Sequence, residues 1–174
     1  MKYLVKFVVV TFLVLICTNT FAEQKVVILD LKYVLNNSKA GKGAQDFLKK
    51  SLTENAKKFK SIEDSLKKEE QDLLTKKTVL SKEEYSKKSD ALRKKVIDYK
   101  SQRRAAMDKI TTLRAESKAT LLKSIDPILQ AYIKENDISV VIKKMNTLGG
   151  KAENDITKII VEKLNKVLPS LDLK

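Results

Sequence analysis

Lysine dominates the side chains of this sequence that could do chemistry. It supplies all but four of the 36 basic residues and recurs as Lys57-Lys58, Lys67-Lys68, Lys76-Lys77, Lys87-Lys88 and Lys94-Lys95. Against 22 acidic residues the formal net charge is +14. Paired ammonium groups on a solvated surface attract and steer acidic or anionic partners, but they do not by themselves break bonds. For any single pair, ordinary solvation of a helix face is an equally good account. Other chemistry has little to draw on. There is no His and a single Cys, Cys17, and the sequence holds no G-x-S-x-G elbow, no P-loop and no carboxylate cluster with ligand spacing. If Cys17 leaves with a cleaved leader, disulfides, thiol catalysis and Cys/His zinc sites are excluded together. No catalytic residue, metal or cofactor is expected, and Ser and Lys are abundant enough for chance dyads.

A field of paired charges needs a scaffold, and the scaffold is announced by what is missing. From Ala44 to Asp126 neither Gly nor Pro occurs, which predicts long continuous helix rather than many short elements. An apolar seam recurs at steps of three and four through Leu48, Leu52, Asn55, Phe59, Ile62, Leu66, Glu69, Leu73, Lys76 and Leu80. A second runs through Tyr85, Ser89, Leu92, Val96, Tyr99, Arg103, Ala106, Ile110 and Leu113, then slips register toward Leu122, Ile125, Leu129 and Tyr132. Between them Ser81 and Glu84 match a capping box, and Leu80 and Tyr85 hold the positions of a hydrophobic staple. The two stripes therefore cover each other as an antiparallel hairpin with its tip near 78–82. Arms over 44–80 and 82–118 would each reach roughly 55 Å, whereas a single straight helix would extend roughly 125 Å. Polar seam positions such as Glu69, Lys76 and Arg103 predict arms that bend and splay.

The flanks carry different signals. Lys2 and Lys6 precede an apolar run from Phe7 to Cys17 and the small residues Thr20 and Ala22, the pattern of a secretory leader over 1–22 cleaved before Glu23. Ile16 ahead of Cys17 is too large for a lipoprotein site. Val26, Val27, Ile28 and Leu29 form one short β-branched run, and Ile138, Val140, Val141 and Ile142 form another. A third strand is expected around Met145 to Leu148, and Gly149-Gly150 would end it. Asn154 to Thr157 opens an amphipathic helix through Ile156, Ile159, Ile160 and Leu164 that Pro169 stops. Asp126-Pro127 predicts a break or kink where the return arm enters the body. The fold class is α+β, mostly α: a hairpin arm over 44–126 on a small β-rich body from 23–43 and 127–174. Two or three short strands cannot close a sheet alone, so their edges call for another copy.

The leader, the K-V-V-I-L-D-L-x-Y-V-L run with its S-x-A-G-x-G-A sequel, the Lys-rich hairpin, E-N-D-I-S-V-V-I and D-I-T together resemble the Skp/OmpH-like periplasmic chaperone family. The likeness covers roughly residues 24 to 168 and departs from the family at Met145 to Gly150, where the second strand of a hairpin is short. It implies a jellyfish-shaped homotrimer in the periplasm, with strands of three chains joined and arms hanging as tentacles around a cavity. It also implies ATP-independent holding of unfolded outer-membrane β-barrel proteins. On that expectation Val26 to Leu29, Ile138, Val140 to Ile142, Ile156, Ile159 and Ile160 carry assembly, while the arm Lys pairs bias client capture. Anionic lipid or lipopolysaccharide is a further candidate partner, although the family's basic patch does not map residue by residue here. Two other classes remain open: a secreted coiled-coil spacer, and a basic protein binding nucleic acid nonspecifically. The leader speaks against nucleic acid as the physiological partner.

Overall fold

The computed structural model describes Tyr3 and residues 24–173. Tyr3 apart, the expected leader lies outside the described residues. Strand β1 spans Lys25–Leu29, helix α1 Leu31–Asn37, helix α2 Lys39–Thr75, helix α3 Lys82–Glu135, strand β2 Ile138–Lys143 and helix α4 Thr157–Val167. The two strands lie side by side and parallel, with Val26 opposite Val140, Val27 opposite Val141 and Ile28 opposite Ile142. Parallel neighbours need a long crossover, and here the crossover is the entire helical hairpin.

Each element ends for a local reason. Asp30 stops β1 and starts α1, its carboxylate accepting from the Tyr33 amide at 2.8 Å. Ser38, fully buried, does the same for α2 by accepting from the Gly41 amide at 3.1 Å. Gly41 is required at this corner because a Cβ there would overlap the Leu35 carbonyl. Buried Ala40 and Ala44 continue the small-residue strip, so the S-x-A-G-x-G-A stretch is the place where the root of the arm presses against the body.

The hairpin forms as the seams predict. Turn residues 76–81 reverse the chain, and Ser81 accepts from the Glu84 amide while the Glu84 carboxylate accepts from the Ser81 amide, both at 3.2 Å. The straight-helix alternative is thereby excluded. The two arm helices are unequal: at 1.5 Å per residue the 37 residues of α2 reach about 55 Å and the 54 of α3 about 80 Å. The extra length of α3 runs into the body, where Leu121, Ile125 and Ile128 join Val27, Leu29, Val34, Ile138, Ile156, Ile160 and Leu164 in one core.

Two expectations are corrected. The break expected at Asp126-Pro127 does not occur: helix α3 passes through Pro127 without ending. Lys123, Asp126 and Pro127 are all exposed, so the carbonyl that Pro127 leaves unbonded faces water, while buried Ile125 and Ile128 on the opposite side hold the helix to the core. The second correction is that Met145 to Leu148 is not a strand. A single 3-10 turn covers Lys144–Asn146, closed by the Thr147 amide and hydroxyl donating to the Lys144 carbonyl at 3.1 and 2.8 Å. The second edge of β1 meets only a bridge to Asp155, so the sheet is two-stranded.

Candidate functional site

The D-I-T stretch is where the two ends of the described chain are joined. The Ile156 amide donates to the Ile28 carbonyl at 3.0 Å, and the Asp30 amide donates to the Thr157 hydroxyl at 2.8 Å. Asp155 accepts from the Thr157 amide at 3.0 Å and pairs with Lys144 at 2.7 Å. Burial works against its charge, but the Lys144 and Thr157 contacts outweigh it and hold the carboxyl below the usual range. This polar knot fixes α4 over the end of β1 and ties down the loop that follows β2.

The residues expected to carry assembly divide between two faces of the sheet. Val27, Leu29, Ile138, Ile156 and Ile160 are buried in the chain's own core, and Val141 packs against it. Val26 and Val140, paired across the sheet, point the other way and are 38% and 46% exposed. Ile28 and Ile142 are half-buried beside them, Ile28 lying under Gly150, where an added Cβ would come within 2.9 Å of its Cδ1. Ile159 is exposed on the outer side of α4, and Met145 and Leu148 in the segment that follows β2 are more exposed still. The outer edge of β2 has no strand partner among the described residues. An apolar face beside an open edge is a ready surface for another chain.

On the arms all ten Lys of the five pairs are exposed. Lys67 pairs with Glu63 on its own helix, and Lys95 crosses to Glu69 of the facing helix, each at 2.7 Å. Lys58 sits 5.6 Å from the Phe59 ring centroid. Among the described residues Lys57, Lys68, Lys76, Lys77, Lys87, Lys88 and Lys94 form no ion pair. The seam beneath them is thin. Beyond the root only Phe59 and Ile110 are buried, with Phe59 set edge-on to Tyr99 at 6.0 Å. Glu63, held below the ordinary carboxylate range chiefly by its Lys67 hydrogen bond, also accepts from the Tyr99 hydroxyl at 3.4 Å.

Seam reasoning passed over four exposed residues, Leu74, Val79, Ile97 and Met107. Their signal was in the sequence as large apolar residues that fall outside the heptad register. They leave each arm with scattered apolar contacts among unpaired cations.

A third surface lies where the arms leave the body. An open groove of about 1370 Å³ is floored by Leu35, Ala44, Leu48, Leu52, Leu121 and Leu122. Its rim carries Lys32, Lys49, Arg114, Lys118, Lys143 and Lys144 against Asp30 and Asp46. Sequence periodicity could not find it, because α1, both arm helices and the end of β2 each contribute. Among the described residues no group of His, Cys, Asp or Glu is placed to hold a metal ion. No described helix is long and apolar enough to cross a membrane.

Comparison with known proteins gives a consistent picture. A family model described as outer membrane protein (OmpH-like) matches residues 25–164. The crystal structure of a candidate outer membrane chaperone (OmpH-like) from Caulobacter crescentus CB15 superposes with a TM-score of 0.80 at 16% identity, covering 88% of this chain and 90% of that one. No curated protein sequence matches.

Proposed function

This chain belongs to the OmpH-like outer membrane protein family, and from that premise we propose that it is a periplasmic holdase chaperone for unfolded outer-membrane β-barrel proteins. The observation that carries the reading is the arm: two long helices rooted on a small body, coated with unpaired Lys and sparse exposed apolar residues. A single rigid site enclosing a whole client would select one client. Many weak contacts spread along such arms hold diverse unfolded chains by avidity. Residues 1–22 are the leader that would send the chain across the inner membrane, and three copies, joined through the sheet face at Val26 and Val140, would arrange the arms around a cavity.

Capture and release need no nucleotide in this account. The positive field draws in acidic segments, and the exposed apolar residues shield client surface that would otherwise aggregate. When the client inserts into a bilayer it buries that surface itself, and the cage empties by mass action. Lys57, Lys58, Lys67, Lys68, Lys76, Lys77, Lys87, Lys88, Lys94 and Lys95 contribute charge here rather than specific pairing. Anionic lipid or lipopolysaccharide would meet the same field.

Light scattering tests the reading. A urea-unfolded outer-membrane barrel protein diluted into buffer without ATP should stay clear in the presence of this protein and become turbid in its absence. Aggregation at the same rate with and without the protein would sink the proposal.

A further inference from the structure

We infer that the groove at the root of the arms is a discrete docking site for a short extended client segment, apolar in the middle and acidic at both ends. The inference rests on the holdase reading and adds to it a defined position and a defined chemistry. Arms that hold clients by dispersed contacts do not require such a site.

Three observations carry it. The first is the floor: Leu35, Leu52 and Leu122 remain half-buried, lining a groove open to water beside the buried Leu48 and Leu121. Apolar side chains held in a concave surface gain from being covered.

The second is the charge of the rim. Lys32, Lys49, Arg114, Lys118 and Lys143 form no ion pair among the described residues, and Lys144 alone is engaged, with Asp155. Of the two acids at the groove, Asp30 already accepts the Tyr33 amide. The surplus is positive, so a matching occupant brings carboxylates. A second copy of this chain, whose +14 falls to +12 once the leader takes Lys2 and Lys6 with it, is a poor complement for this groove.

The third is the distribution of that charge along the groove. Lys32 on α1 and Lys143 at the end of β2 belong to the body, whereas Arg114 lies up the arm on α3. Along α2 the lining runs from Gly41 to Leu52, about 17 Å at 1.5 Å per residue. An extended chain rising roughly 3.3 Å per residue spans this with about five residues. Cations at both ends answer a segment with carboxylates at both ends. An amphiphile with one headgroup would leave one end unanswered.

The test uses the chain from Glu23 purified in its assembled form and fluorescence anisotropy of a labelled peptide, an alternating Leu/Tyr segment of about five residues flanked by Asp. A second peptide has Asn in place of each Asp. The Asp peptide should bind, and Arg114→Gln combined with Lys118→Gln should weaken it about fivefold, the sum of two exposed charge contacts. Leu52→Gln should weaken both peptides. Lys158→Gln with Lys166→Gln on α4 should change neither. Equal binding of the Asp and Asn peptides would overturn the inference, as would an α4 control as damaging as the groove variant. Phosphatidylglycerol vesicles that bind in place of the peptide, with the same sensitivity to Arg114 and Lys118, would overturn it by assigning the groove to lipid. Turbidity protection run in parallel separates the two claims: protection without peptide binding removes the groove alone, and loss of protection by the unaltered protein removes the holdase reading.

Discussion

At the scale of residues, the fold depends on a few positions where geometry leaves no choice. Gly41 is one, since a side chain there meets the Leu35 carbonyl, which belongs to backbone and cannot swing aside. Gly41→Ala should cost roughly 1–3 kcal/mol by overpacking, read as a lower urea midpoint. Gly43, with open space around its Cα, should tolerate Ala, and equal losses at the two sites would contradict the packing argument. Asp155 is another. Its carboxyl is held below the usual value of 3.8 in the folded chain, so the unfolded state binds the proton more readily as acid is added. The stability it contributes is present above pH about 4 and is lost as pH falls through the lowered folded value. Thermal unfolding of Asp155→Asn should therefore lie below the unaltered protein at neutral pH and converge with it in strong acid. A gap independent of pH would contradict the claim that the carboxylate charge carries the effect.

At the scale of elements, the hairpin was legible because its causes are local and periodic. The breaker-free stretch, the heptad seam and the Ser81/Glu84 box each act over a few residues, and all three appear where the sequence puts them. The body was less legible, since its contacts join residues more than a hundred positions apart, as Asp30 and Thr157 illustrate. Asp126-Pro127 misled because the local preference for a helix start is outweighed by the burial of Ile125 and Ile128. The β-rich run at Met145 lost to the turn closed by Thr147 and the Lys144–Asp155 pair. Because α3 continues through Pro127, Pro127→Ala should restore a helix bond at an exposed site and stabilise by about 1–3 kcal/mol. A lower urea midpoint would mean that the proline itself is wanted at that position. On the arms, Gln at Lys57, Lys58, Lys87, Lys88 and Lys94 should weaken client capture several-fold at low salt and little near 1 M, where the Debye length is about 3 Å. Affinity that ignores salt in both proteins would move capture onto Leu74, Val79, Ile97 and Met107 alone.

At the scale of the whole molecule, the proposed cage needs more than one chain: among the described residues each chain has one hairpin, a two-stranded sheet with an open edge, and an apolar outer face at Val26 and Val140. The buried members of the same strands, Val27 and Leu29, belong to the single-chain core, so replacing them should unfold the body instead of separating copies. Val140→Asp should leave the helical circular dichroism intact and lower the assembly state, whereas Val27→Asp should lower both. Identical behaviour of the two variants would remove the distinction between core and assembly face. The most direct measurement is analytical sedimentation of the chain from Glu23, alone and after a urea-unfolded outer-membrane barrel protein is diluted into it without ATP. The account predicts a trimer that takes the client into one faster-sedimenting species and keeps it from pelleting. A monomer or dimer that leaves the client to aggregate would contradict it.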